Sequence, residues 1–367
     1  MKFIICGGGT GGHVSPAIAI YEALKEQCND SEFLFVGRDN GLENHAYKAT
    51  GERLKTLSVS GINRQSIIKA AKGVFSALQS RRAAKALIKV EKPDIIIGTG
   101  GYVAWPMLSA GAKLKIKTVI HESNALPGLT TRIVSRYVDT VLLNYAEAAN
   151  HLPRQNNICI VGNPLRKEFQ KINKRLARRQ MGVRDNDIMI LSFGGSLGAP
   201  KLNEPILDLM RCYSSKKANV KHLHAMGTTN YKELKQQTIL DLNNKNGCKI
   251  VPYIEDMANA MSAADIVICR CGAMTLSEIC AVGVASILIP SPNVADNHQL
   301  KNAKHLESLG AAIIIEEESL SLRSLMDAVR DLTESSERRI NLANRASELG
   351  KSNASNRITE EILSLIK

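Results

Sequence analysis

The sequence predicts an α/β chain built as two doubly wound, parallel-sheet domains. Three observations lead there. Short β-rich runs alternate with helical stretches along the chain, the pattern of a parallel sheet flanked by helices. Glycine-rich clusters follow four of those runs. The opening strand, glycine cluster and helix, FIICGGGTGGHVSPAIAIYEAL (3–24), recur as MILSFGGSLGAPKLNEPILDLM (189–210).

The first-half strands are expected at 3–6, 33–36, 95–97, 118–120 and 140–143. The second half offers 188–193, 249–251, 266–269 and 286–289. Residues 171–187 are charged and lack strand character, so a new domain should begin just before them, dividing the chain into 1–162 and 163–349. Ile358, Ile362, Leu363 and Ile366 fall on one helical face, so 350–367 reads as a helix docked on the first domain. A length of 367 residues suits two domains.

Composition narrows the function classes. The net charge is +13 and favours an anionic partner: phosphorylated substrates, an acidic membrane surface or nucleic acid. Aromatics make up only 4% and are not interleaved with basic residues, which argues against nucleic acid. No apolar stretch reaches the ~18–20 residues of a membrane span, and no secretory leader is visible, so a cytoplasmic chain is expected. Eight cysteines without a C-x-x-C pair read as ordinary thiols.

The clusters GGGTGGH (7–13), GTGGY (98–102), FGGSLGA (193–199) and CRCGAMT (269–275) sit at strand ends. Glycine there lets the backbone turn sharply, and the next helix start offers N–H groups to anionic oxygen. Gly7, Gly9 and Gly12 also fit the dinucleotide fingerprint G-x-G-x-x-G. That reading needs an acid closing the second strand, yet Val36 is followed by Gly37, Arg38 and only then Asp39. His13, directly after the last glycine, suits acid–base work better than hydride transfer. Asp185-Asn186-Asp187 is a D-x-D placed before a strand and reads as a turn, not a metal site.

Residues 67–92 carry seven Lys or Arg against one acid. Val74, Phe75 and Leu78, bordered by Lys72, Arg81 and Arg82, form a candidate membrane-facing patch for anionic lipids. The alternative is an amphipathic helix with its apolar face in the core.

GGGTGGH, GTGGYVAWP, HESNALPGLT, VGNPLR, FGGSLGA, CRCGAMTLSE and ADNHQLKNA occur in this order over nearly the whole chain. Together they resemble the MurG family, whose members transfer N-acetylglucosamine to the lipid-linked precursor of peptidoglycan. The resemblance implies the GT-B fold, two Rossmann-like domains facing across a cleft, and inverting transfer from UDP-GlcNAc to the C4 hydroxyl of the muramyl sugar in lipid I, yielding lipid II. It places the donor on the second domain. Ala273, Met274, Thr275, Leu276 and Ser277 would lie at the diphosphate, Glu278 would accept the ribose hydroxyls, and Ser196 and Arg166 would face the phosphates. Ile254 is assigned to the uracil, and Gln299 and Asn124 to the sugar. Gly9, Gly12, Gly100, Gly101 and Tyr102 would cradle the acceptor diphosphate. Thr10, Gly11 and Gly12 are also credited with donor contacts, and the two roles stay open. His13 is the first candidate base and Glu122 the second. No cofactor or metal is implied. The expected partners are UDP-GlcNAc, lipid I, anionic lipids of the inner membrane at its cytoplasmic face and other cell-wall synthesis proteins. A related glycolipid synthase and a nucleotide-sugar epimerase are the competing readings.

Overall fold

The computed structural model describes residues 1–41, 43–59, 67–169, 173–195, 198–214, 219–243 and 247–366, with their side chains except those of 67–77, 213 and 214. Two compact units emerge: Met1–Lys167 with Ser352–Lys367, and Glu168–Lys351.

The first unit holds seven strands: β1 (Lys2–Gly7), β2 (Glu32–Arg38), β3 (Arg53–Leu57), β4 (Ile95–Gly100), β5 (Lys117–Glu122), β6 (Thr140–Leu143) and β7 (Ile158–Ile160). They pair in parallel in the order β3-β2-β1-β4-β5-β6-β7. The central strands are buried on both faces, which is why they read as unbroken apolar runs. Ile4 and Cys6 enter one core with Ile96, Leu108 and Val141; Phe3 and Ile5 enter the other with Ile20, Phe35 and Tyr47.

Ile358 and Ile362, from the helix Ala354–Ser364, complete that second core, and Gln27 Nε2 donates to Thr359 Oγ1 at 2.8 Å. The boundary falls five residues later than expected, after Lys167 rather than after position 162. Val161 and Leu165 are buried in the first unit, and the Leu165 carbonyl accepts a bond from Ser355 Oγ. Arg166 therefore belongs to the first unit.

The second unit repeats the design with β8 (Ile188–Phe193), β9 (Val220–Ala225), β10 (Cys248–Val251), β11 (Ile266–Cys269), β12 (Ala285–Leu288) and β13 (Ile313–Ile314). The order β10-β9-β8-β11-β12-β13 is again wholly parallel. In each sheet the chain starts in the middle and reverses direction beside its first strand, between β1 and β4 and between β8 and β11. Doubly wound sheets bind ligands at such switch points, beyond the strand carboxyl ends. All four glycine clusters follow one of these four strands.

Candidate active site

Three loops of the first unit leave the adjacent strands β1, β4 and β5. The first, after β1, exposes Gly9, Thr10, Gly11 and Gly12 and opens the helix Gly11–Gln27. Thr10 occupies the N-cap in extended backbone and makes no side-chain cap bond. Its carbonyl receives His13 N (3.1 Å) and Val14 N (3.3 Å). The helix thus begins on bare glycine amides, an arrangement suited to anionic oxygen.

His13 is half-buried, and its Nδ1 lies 2.9 Å from the Thr99 carbonyl oxygen. A carbonyl only accepts, so Nδ1 carries a proton, and the neutral form of the ring has its lone pair on Nε2. Thr99 Oγ1 returns a bond to the His13 carbonyl at 2.6 Å.

Gly100 and Gly101, expected as diphosphate donors, have an additional steric task. A Cβ on Gly100 would strike the His13 ring, and one on Gly101 would strike the Gly8 carbonyl. They let β4 press against the glycine loop. Tyr102 is exposed beside them.

Gly9, expected as a diphosphate donor, already has an internal partner. Its N–H donates at 3.2 Å to Oε2 of Glu43, a buried carboxylate.

The third loop is organised around Glu122, also buried. Its Oε1 accepts from Asn124 N and Asn124 Nδ2, both at 3.0 Å. Its Oε2 accepts from Gly128 N at 2.9 Å and Thr131 Oγ1 at 2.6 Å. Four donors on its two oxygens make Glu122 a brace for this loop. The same bonds turn the Asn124 backbone N–H and one hydrogen of its side-chain amide toward Glu122. Thr130 Oγ1 joins this loop to the second by donating to the Gly101 carbonyl at 3.2 Å.

In the second unit the helix Ala273–Val282 starts after Gly272, whose backbone is extended and which offers no side-chain cap. Ala273, Met274 and Leu276 are buried, whereas Thr275, Ser277 and Glu278 are half-exposed. Burial pushes the Cys269 thiol up, with a further contribution from the Glu278 charge, which places that carboxylate near the end of β11.

Gln299 Oε1 accepts from Cys271 N (3.2 Å) and Ser291 N (2.9 Å), tying the loops after β11 and β12. Just before it, Asp296 and Asn297 both take left-handed backbone, with φ of 52° and 51°. Such strain collects at ligand-contacting loops. Arg270 adds to the staple: Nη1 donates to the carbonyls of Ile289 and Pro290, each at 3.2 Å, and Nη2 pairs with Glu317.

Ile254 is buried. Ser196 lies outside the described residues. Asp187 is buried and accepts from Arg184 N at 3.0 Å, so the D-x-D is a turn closed by its own arginine.

Thr99, Glu43, Tyr47 and Arg270 were not found from sequence. Thr99 and Arg270 sit inside recognised clusters, and that adjacency was the available signal.

In the helix Ile67–Glu91, Ser80, Ala84 and Ile88 face the core, while Leu78 and Arg82 are exposed and Arg81 is half-exposed. Leu78 is therefore off the core-facing stripe. Lys72, Val74 and Phe75 lie outside the described side chains. Leu129, Ile133 and Tyr137 add exposed apolar surface at four-residue spacing. The partly covered Tyr137 hydroxyl is pushed up to about 12 by burial, partly opposed by the nearby Arg81 charge and a bond with Trp105, which places it beside the helix Ile67–Glu91. Among the described residues no helix is long and apolar enough to cross a membrane.

Two doubly wound units with glycine loops at both switch points define the GT-B class of nucleotide-sugar proteins. Residues 3–143 match the glycosyltransferase family 28 N-terminal domain, and 189–361 match its C-terminal domain. The chain belongs to glycosyltransferase family 28. It is 38% identical to the UDP-N-acetylglucosamine–N-acetylmuramyl-(pentapeptide) pyrophosphoryl-undecaprenol N-acetylglucosamine transferase of Acetivibrio thermocellus, over 100% of this chain and 99% of that one. The crystal structure of Acinetobacter baumannii MurG superposes with a TM-score of 0.78 at 28% identity, covering 99% of both chains. A UDP-GlcNAc 2-epimerase from Neisseria meningitidis, at 14% identity and a TM-score of 0.68 over 99% of this chain and 100% of that one, shares the fold alone.

Proposed function

We infer that this chain is an inverting N-acetylglucosaminyltransferase that moves GlcNAc from UDP-GlcNAc to the C4 hydroxyl of the muramyl sugar in lipid I, giving lipid II. Full-length likeness to a transferase of that name carries the reading. The geometry supplies a chemistry for it.

His13 Nε2 takes the proton of the C4 hydroxyl as its oxygen attacks the anomeric carbon. The bond from that carbon to the diphosphate breaks on the opposite side, so configuration inverts and UDP departs. A positioned base of this kind contributes about 10²–10⁴ in rate. Charge growing on the leaving diphosphate is met by the amides opening the helix at Ala273 and by Arg166 and Ser196. Met274, Thr275, Leu276 and Ser277 form the rest of that helix start, and Glu278 accepts the ribose hydroxyls. The Ile254 backbone reads the uracil, and Gln299 offers its amide hydrogens to the sugar. Thr10, Gly11 and Gly12 supply donors for the acceptor diphosphate. In this reading no metal is needed, so chelator should leave turnover unchanged and Mn²⁺ should not raise it.

The acceptor is lipid-linked, so the enzyme must reach a membrane. Leu78, Phe75 and Val74, with Lys72, Arg81 and Arg82 beside them, are the proposed contact with anionic lipid at the cytoplasmic face of the inner membrane. Leu129 and Ile133 extend that apolar surface, and other cell-wall synthesis proteins are proposed partners there. Phe75→Asp should weaken binding to anionic vesicles; unchanged binding would move the patch elsewhere.

The deciding assay supplies radiolabelled UDP-GlcNAc with a lipid I analogue, with UDP-glucose and diacylglycerol as controls. Product is expected only from UDP-GlcNAc with the lipid I analogue. Turnover on diacylglycerol, or none on any pair, would overturn the assignment.

A further inference from the structure

We propose that Glu43, together with Tyr47, is the positioning element of the glycine loop, holding the Gly7–Gly9 backbone so that Gly11, Gly12 and His13 meet the acceptor in one fixed arrangement. The proposal rests on the transferase reading above for its kinetic consequences, and on geometry for everything else.

Glu43 and Tyr47 lie four residues apart in the helix Glu43–Ala49, so both side chains leave one face. Glu43 is only 1% exposed and Tyr47 is fully buried. The Glu43 carboxylate bridges two neighbouring strand ends. Oε1 accepts from Arg38 N, at the end of β2, at 2.9 Å, and Oε2 accepts from Gly9 N, beyond β1, at 3.2 Å. Tyr47 Oη donates to the Gly7 carbonyl at 2.7 Å, its ring stacked on Phe35 at 4.4 Å between centroids. The carboxylate also fills the space beside Gly8, where a Cβ would overlap it.

From the other side β4 closes on the same loop, with Gly101 against the Gly8 carbonyl and Thr99 bonded to His13. The loop is clamped on two sides, and each clamp bonds backbone.

The clamp answers a problem set by the sequence. Five of the six residues 7–12 are glycine, and Gly9 sits at φ +87°. Glycine gains close approach but loses the most conformational freedom on ordering. A loop of this composition would populate many arrangements, few of which aim His13 at an acceptor hydroxyl. A carboxylate suits the task because its two oxygens can accept from two separate amides. Placing that charge behind the loop also removes the Gly9 amide from anion binding, so the acceptor diphosphate is directed to the amides further along.

The test uses the full chain with Glu43→Gln, Tyr47→Phe and the double variant. UDP-GlcNAc and a soluble lipid I analogue are varied in turn, UDP affinity is measured by calorimetry, and amide exchange is followed over residues 7–13. For Glu43→Gln, a roughly tenfold loss in kcat/KM for the acceptor is expected, with donor KM and UDP affinity within about twofold of wild type. Tyr47→Phe should lose less, and the double variant should fall short of the product of the two single effects because both act on one loop. Exchange over 7–13 should accelerate while that of the second unit does not. Acceptor kinetics within about twofold of wild type for both single variants would overturn the proposal. So would parallel loss of donor and acceptor binding. Should Glu43→Gln fail to fold, Tyr47→Phe decides alone, because it deletes only a hydroxyl. If the wild type transfers no GlcNAc, the functional reading falls, and unchanged exchange over 7–13 would then sink this proposal separately.

Discussion

His13 and Thr99 bond to each other twice, ring nitrogen Nδ1 to carbonyl at 2.9 Å and hydroxyl Oγ1 to carbonyl at 2.6 Å. The first bond fixes the tautomer, and the second fixes the backbone from which the ring projects. His13→Ala should lower kcat by about 10²–10⁴ and leave UDP affinity nearly intact. Parallel loss of both would make His13 structural. Thr99→Val keeps the carbonyl and the shape but removes the hydroxyl bond, so it should cost about tenfold or less in kcat.

Glu122 offers a sharper contrast, because two roles predict different measurements. A base could be replaced by glutamine with kcat lost and folding unchanged. A brace accepting four donors cannot, since the new amide sets a donor against a donor. Glu122→Gln should destabilise the first unit by about 1–3 kcal/mol, read as a lower melting temperature. An unchanged melting temperature with collapsed turnover would restore Glu122 as a base.

The sequence made the architecture legible wherever strands are buried on both faces. The runs 140–143, 188–193 and 266–269 matched the observed strands end to end, because continuous burial leaves an unbroken apolar signature. The strands it hid have other surroundings. Arg53–Leu57 is an edge strand with basic residues at alternate positions, Ile158–Ile160 and Ile313–Ile314 are edge strands of three and two residues, and Val220–Ala225 carries two histidines inside a buried sheet. The same limit applies to the site. Glycine clusters announce themselves locally, but Glu43 touches Gly9 across 34 positions, and nothing in GLENHAY marks its carboxylate as buried. The partners of Gly9 and Glu122 were hidden for one reason: they are set by the tertiary structure.

Gln299 should behave as two half-residues. Its Oε1 holds Cys271 N and Ser291 N, and under the proposed function only its amide hydrogens are offered to a sugar. Gln299→Glu keeps the acceptor oxygen and removes the donors. It should raise the donor KM by about tenfold while the melting temperature stays near wild type. Gln299→Ala removes both functions and should lower stability as well. Equal melting temperatures for wild type and alanine variant would show that the staple contributes nothing.

The two histidines of β9 predict how stability depends on pH. His224 Nδ1 lies 2.8 Å from Ser192 Oγ and 3.2 Å from the Ser192 carbonyl, so that nitrogen carries the proton. Ser192 Oγ then donates to His222 Nε2 at 2.8 Å, and both rings are neutral. Complete burial holds His222 down to about 3, with the neighbouring His224 adding to the effect, and holds His224 down to about 4. The unfolded chain binds these protons near pH 6.5, and the folded chain refuses them until far lower pH. Stability is therefore full above about pH 6.5 and falls as pH drops toward the folded values, each histidine contributing up to about 1.4 kcal/mol per pH unit. Between pH 6.5 and 5 ordinary carboxylates stay mostly ionised, so this window isolates the histidines. Denaturant titrations there should give a steep loss for wild type and a shallower one for His222→Gln. Equal slopes for the two proteins would show that the buried pair does not set the acid sensitivity of the second unit.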